Sequence, residues 1–123
     1  MLFKFEPESL TFKKLDGWSL VWGGPLTETA TGVATDDNFI YVSGYTNSEG
    51  TMSLGGKYDM LLMKVDAQGI LKYVKTFGKE NNDKINSLAI FKGTVYMVGE
   101  SDSSGWTSQR TDMIFINMDT TTE

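Results

Sequence analysis

Histidine and cysteine are absent from the 123 residues, so any chemistry falls to carboxylates, hydroxyls and aromatic rings. That excludes thiol reactions, disulfides, cysteine–histidine zinc sites and histidine base catalysis. Among the acids, Glu28 and Asp83 occupy matching places 55 residues apart, and Asp59 and Asp112 form a second recurring pair. A paired-carboxylate mechanism needs its two groups roughly 5–10 Å apart. A carboxylate that recurs once per repeat more often accepts backbone N–H bonds at a turn, and that is the expectation for Asp59 and Asp112. Glu28 and Asp83 are expected just before a first strand. Acids there suit a cation or sugar hydroxyls, and a solvated turn charge is the plainer reading. They are the leading candidates for a small-ligand contact, together with Trp106. Trp106 lies in the polar stretch Ser103-Ser104-Gly105-Trp106-Thr107-Ser108, where a tryptophan suits a partner anchor or a sugar-stacking platform. Folding back onto its own sheet is the competing role.

Other motifs read as structure. Asp36-Asp37-Asn38 lacks the spaced acids and later glutamate of a calcium loop, and reads as a turn. Gly23-Gly24 and Gly55-Gly56 lack the Gly-Lys-Ser/Thr ending of a phosphate loop. The serines and threonines of 46–50 and 101–105 have no base partner, so nucleophilic catalysis has no support. No catalytic residue, cofactor-binding residue or metal ligand is assigned, and the chain is read as a non-enzyme. Net charge is −5 with both signs scattered, which leaves no basic footprint for nucleic acid. The longest apolar runs, such as Met60-Leu61-Leu62-Met63, fall far short of the ~20 residues that span a bilayer, so no membrane insertion is expected.

The elements that carry these residues repeat. At an offset of 55, Gly23 maps to Gly78, Ala34 to Ala89, Tyr41 to Tyr96, Gly44 to Gly99, Ser48 to Ser103 and Gly50 to Gly105. Trp18 maps to Tyr73, Trp22 to Phe77, Glu28 to Asp83, Val33 to Leu88 and Ile40 to Val95. A two-residue loss then sets the offset to 53, bringing Asp59-Met60 onto Asp112-Met113 and Asp66 onto Asp119. Chance does not supply nine identities in one order, and such a period marks a repeat architecture. Turn signals bound strands at 32–35, 39–44, 60–65 and 71–77 in the first copy, and at 87–91, 94–99 and 113–118 in the second. Ile40-Tyr41-Val42 and Val95-Tyr96-Met97-Val98 are apolar on both faces, as in a strand buried on both sides. No window holds a helical period. Residues 1–14 form an N-terminal segment with a third-strand-like piece in Leu2-Phe3-Lys4-Phe5. Residues 15–123 hold the two repeats, about 15–68 and 69–119.

These motifs resemble the SBBP-type β-propeller repeats. The shared features are Trp22-Gly23-Gly24, Glu28, Gly32-Val33-Ala34-Thr35-Asp36, Tyr41-Val42-Ser43-Gly44-Tyr45-Thr46, Gly56-Lys57-Tyr58-Asp59 and Lys64-Val65-Asp66-Ala67-Gln68-Gly69. The second copy departs, with Lys79 in place of the second glycine and Phe91-Lys92 in place of Asp-Asp. The resemblance implies an all-β fold of β-propeller blades, each a four-stranded antiparallel sheet. The chain is then an incomplete propeller of about two blades, whereas closed rings hold roughly 4–8. Residues 18–22 would be a leading fourth strand, with Trp18 and Trp22 packing between blades, and the last blade lacks its outer strand.

Fold does not dictate function. The leading expectation is a structural, protein-interaction module that contributes blades to a larger assembly, a homo-oligomeric ring or a multiprotein complex. Its partners would be other proteins or copies of itself, and the isolated chain would not be a stable monomer. A second expectation is a lectin-like propeller that binds glycan or another small ligand. Others are a fragment of a longer propeller and a segment of a hydrolase whose catalytic residues lie elsewhere. The N-terminus shows no basic-then-apolar leader, which favours the cell interior. The resemblance points instead to bacterial or protist surface proteins.

Overall fold

Alternating turn-forming and apolar stretches give strands throughout. The computed structural model of the chain describes residues 2–3, 17–48, 57–102 and 110–121. The strands are β1 (Leu2–Phe3), β2 (Ser19–Leu20), β3 (Glu28–Thr35), β4 (Phe39–Thr46), β5 (Asp59–Asp66), β6 (Leu71–Phe77), β7 (Asp83–Phe91), β8 (Thr94–Ser101) and β9 (Asp112–Asp119). No helix occurs among the described residues. The fold is all-β: a four-stranded antiparallel sheet β3-β4-β5-β6, a three-stranded antiparallel sheet β7-β8-β9, and the short pair β1-β2. β6 keeps its expected bounds, and the other strands of the two sheets run past theirs. β3 and β7 begin four residues early, so Glu28 and Asp83 open their strands instead of preceding them.

Local chemistry sets the turns. Asp36 Oδ1 accepts the N–H groups of Asn38 and Phe39, which closes the β3–β4 turn as the Asp36-Asp37-Asn38 pattern implied. Lys92 and Gly93 both sit at positive φ, 49° and 76°, in the two-residue β7–β8 hairpin. Paired positive φ matches the right-handed twist of the flanking strands. Asp66 Oδ1 likewise accepts the Gln68 and Ile70 N–H groups between β5 and β6.

The repeat extends to irregularities of the backbone. The β3–β4 register shifts between Ala30 and Gly32, and the β7–β8 register shifts between Ile85 and Ser87, the same place in each copy. A bulge leaves an extra residue unpaired and bends its strand. At Gly44 a Cβ would strike the Thr29 carbonyl, and at Gly99 it would strike the Lys84 carbonyl, so both positions demand glycine.

The two sheets stack through β7, which packs on β3, β4 and β5. Tyr41, Met60 and Leu62 of the first sheet meet Ile85, Val95 and Met97 of the second in one buried core. The opposite face of the first sheet (Val42, Met63, Val65) is covered in part by Trp18, Leu20 and Trp22. The Trp18 indole N–H donates to the Ala67 carbonyl at 3.0 Å. Three layers therefore stack face to face, in chain order.

Lys64 fastens the far end of this seam. It is buried, its Nζ donates to the Thr120 carbonyl at 2.8 Å, and it lies 4.2 Å from the Phe39 ring centroid. Tyr41 and Tyr73 rings flank it. Aromatic faces attract a desolvated cation, so Lys64 ties the chain just after β9 to the first sheet.

Candidate functional site

The carboxylates gather at the other end of the sheets, in matching rows. Register places Glu28 beside Thr46 and Thr46 beside Asp59 in the first sheet. The second sheet aligns Asp83, Ser101 and Asp112 in the same way. Each row is acid, hydroxyl, acid, and the rows follow the two sequence offsets.

Within each row the first acid latches the loop that leads into its strand. The Thr46 hydroxyl donates to Glu28 Oε1 at 3.0 Å, the Ser48 hydroxyl donates to the same oxygen, and the Gly24 N–H donates to the Glu28 carboxylate. In the second copy the Ser101 hydroxyl donates to Asp83 Oδ1, and the Lys79 N–H donates to Oδ2 at 2.8 Å. Gly24 and Lys79 are repeat equivalents, so one hydrogen-bond pattern is built twice. A second clamp repeats beside it. The Asn47 N–H donates to the Thr27 carbonyl and the Thr27 N–H to Asn47 Oδ1, while Asp102 and Asn82 make the same reciprocal pair. Sequence reasoning missed this clamp. Its signal was present as Asn47 against Asp102 at the 55 offset, a match of shape and acceptor without identity.

These partners decide what the acids are. Burial works against the charged form of Glu28, but the hydrogen bonds from Ser48, Thr46 and Gly24 outweigh it and hold its carboxyl below the usual range. Asp83 is fully buried, so it is not a solvated turn charge. Both act on the chain's own loops.

Asp59 differs from the expectation of a turn acceptor. It is fully buried at 0% exposure, and neither carboxylate oxygen has a hydrogen-bond partner among the described residues. Its neighbouring acid is Asp83 from the adjacent sheet. Burial, and then the Asp83 charge, push its pKa up to about 6. The main chains meet at the same place: Asp83 N–H donates to the Tyr58 carbonyl at 2.7 Å, and Tyr58 N–H donates to Asn82 Oδ1. The Gly78 backbone also runs close, since a Cβ there would strike Asp59 Oδ1. A carboxyl so enclosed can take up or release a proton.

Two recesses open nearby. One, of about 250 Å³, is lined by Tyr58, Asn82, Lys84, Glu100, Asp102 and Thr111. Lys84 Nζ stands 4.8 and 4.7 Å from the Tyr45 and Tyr58 ring centroids, and those rings meet edge to face. The other, of about 100 Å³, runs between Leu20 and Trp22 on one side and Ala30, Val42, Leu61 and Met63 on the other, with Glu28 at its rim. Trp106 lies outside the described residues. No cluster of three or more metal-ligating side chains occurs among the described residues.

No protein-family model matches this chain, and no curated protein matches it. The likeness to SBBP-type repeats therefore rests on the motifs quoted above.

Proposed function

We propose that this chain is a non-catalytic interaction module that supplies β-propeller blades to a larger assembly. The observation that carries this reading is a contrast between the two copies. Met60 and Leu62 are 0% exposed beneath the second sheet, whereas their equivalents Met113 and Phe115 are 84% and 62% exposed. Phe91 and Val98 are exposed as well, and Phe115 stacks on Tyr96 with centroids 6.0 Å apart. The second sheet thus repeats the apolar face that the first sheet uses to receive a neighbour. Large contiguous apolar patches of this kind mark interaction surfaces. The acids support the reading too, since Glu28 and Asp83 are spent on internal latches.

Light scattering after size exclusion tests it. The native chain is expected as a multiple of 13.7 kDa or in complex with a companion protein, and Met113→Asp is expected to release folded single chains. A monodisperse, folded monomer that Met113→Asp leaves unchanged would refute the module. The 250 Å³ recess, with its tyrosine, amide and carboxylate lining, supports a second reading as a glycan site. Glycan-array binding that disappears in Trp106→Ala and Asn82→Ala would favour it.

A further inference from the structure

The open face has a counterpart on the same molecule. Leu88 of the second sheet packs into the core between the sheets, but its equivalent Val33 in the first sheet is 64% exposed. Residues 18–22 cover only part of that face, and the recess of about 100 Å³ lies between Leu20 and Trp22 and the sheet. One end of the stack therefore shows an uncovered receiving face, and the other end shows a partly vacant docking face.

The strands are mismatched in a complementary way. β5 carries β6 along its outer edge, while its equivalent β9 has no strand beyond it among the described residues. Residues 18–22 are the equivalents of 73–77 in β6, and β2 is held by β1 through only two residue pairs, Leu2↔Leu20 and Phe3↔Ser19. Among the described residues, an eight-residue edge lacks a fourth strand, and a fourth-strand sequence lacks a full-length third strand.

We propose that a second copy of this chain is the occupant, its residues 18–22 pairing along the free edge of β9 while its first sheet covers the open face. This inference rests on the interaction-module reading and adds the identity and register of the partner. The β5–β6 pairing supplies the register: Met60↔Phe77, Met63↔Val74 and Lys64↔Tyr73 translate into Met113↔Trp22, Ile116↔Ser19 and Asn117↔Trp18. The faces agree. Met113, Phe115, Trp18, Leu20 and Trp22 all fall on the side that meets the incoming sheet, which is where the partner's Trp18, Leu20 and Trp22 already pack on their own Val42, Met63 and Val65. Val21, 68% exposed, would pair with Ile114 and turn its side chain toward the core between the sheets. β1 is displaced, and its two residue pairs give way to a longer ladder. A strand edge as regular as β9 is a ready template for such addition. The contact joins unlike surfaces of identical chains, a head-to-tail arrangement.

The absence of native cysteine makes the register testable. Ser19→Cys and Ile116→Cys chains, each verified as folded by circular dichroism, are mixed and mildly oxidised. A disulfide-linked pair that forms in the mixture and in neither variant alone is the expected result. On the native chain, slower amide exchange in β9 as concentration rises is the matching expectation. An oligomer that Met113→Asp dissociates but that gives no mixed disulfide and no protection of β9 would overturn the strand donation while leaving the interaction-module reading intact. A native chain that joins only a different protein would overturn the second copy as occupant.

Discussion

Asp59 concentrates an electrostatic cost at the seam between the sheets. Its carboxyl is buried, lacks hydrogen-bond donors among the described residues and faces Asp83. With its pKa raised from 3.8 to about 6, the folded protein retains a proton that the unfolded chain has already released in between. The stabilisation is complete below about pH 4 and is lost as pH rises through about 6. Asp59→Asn removes the titration and keeps the shape. Thermal melts should show the variant melting above the native chain at pH 7.5, with the gap closing toward pH 4. A variant whose melting temperature tracks the native chain across that range would show that Asp59 is not strained. At this scale the sequence was legible where identity or class recurred. The offset located Glu28, Asp83, Asp59 and Asp112, but it could not reveal that Asp59 meets Asp83. That contact joins residues in different sheets and depends on how they stack.

The strands themselves were legible because turn chemistry and apolar runs are local. Asp36, Lys92-Gly93 and Asp66-Ala67-Gln68-Gly69 each fix a turn through their own backbone or neighbouring N–H groups. The starts of β3 and β7 were not, because Glu28 and Asp83 look like turn acids until Thr46 and Ser101 are seen beside them in the ladder. The paired bulges were equally hidden, yet they explain why glycine recurs at 44 and 99. Adding a methyl group there drives it into a backbone carbonyl of the partner strand, next to the bulge. Gly44→Ala and Gly99→Ala should each cost about 3 kcal/mol or more, as overpacking against backbone does at its worst. Chemical denaturation reads this out, with Gly93→Ala as a milder comparison in an open hairpin. Near-native stability for Gly99→Ala would mean that the second bulge can relax.

Stacking gives the whole molecule two unlike ends, with Val33 exposed at one and Met113 and Phe115 at the other. Head-to-tail association predicts complementation. Val33→Asp spoils one end and Met113→Asp the other, so neither variant alone should assemble. Mixed, they retain one sound pair of surfaces and should form a dimer that grows no further, which light scattering would show at twice 13.7 kDa. A mixture that stays monomeric would count against unlike ends meeting. The repeat made the number of sheets legible, because each copy carries its own set of strand and turn signals. The order of the layers was not, since which face of Tyr41 or Met60 meets its neighbour is settled by packing across more than 20 residues of intervening chain.

The second sheet has three strands among the described residues, and that number has an arithmetical consequence. β2, the four strands of the first sheet and the three of the second make eight, which is two full sheets once a neighbour's β2 is shared in. Under that exchange the described strands add blades in pairs. A ring of roughly 4–8 blades assembled from these strands alone would then be even-numbered. Where the rotation fails to close, the same joint would extend as a filament.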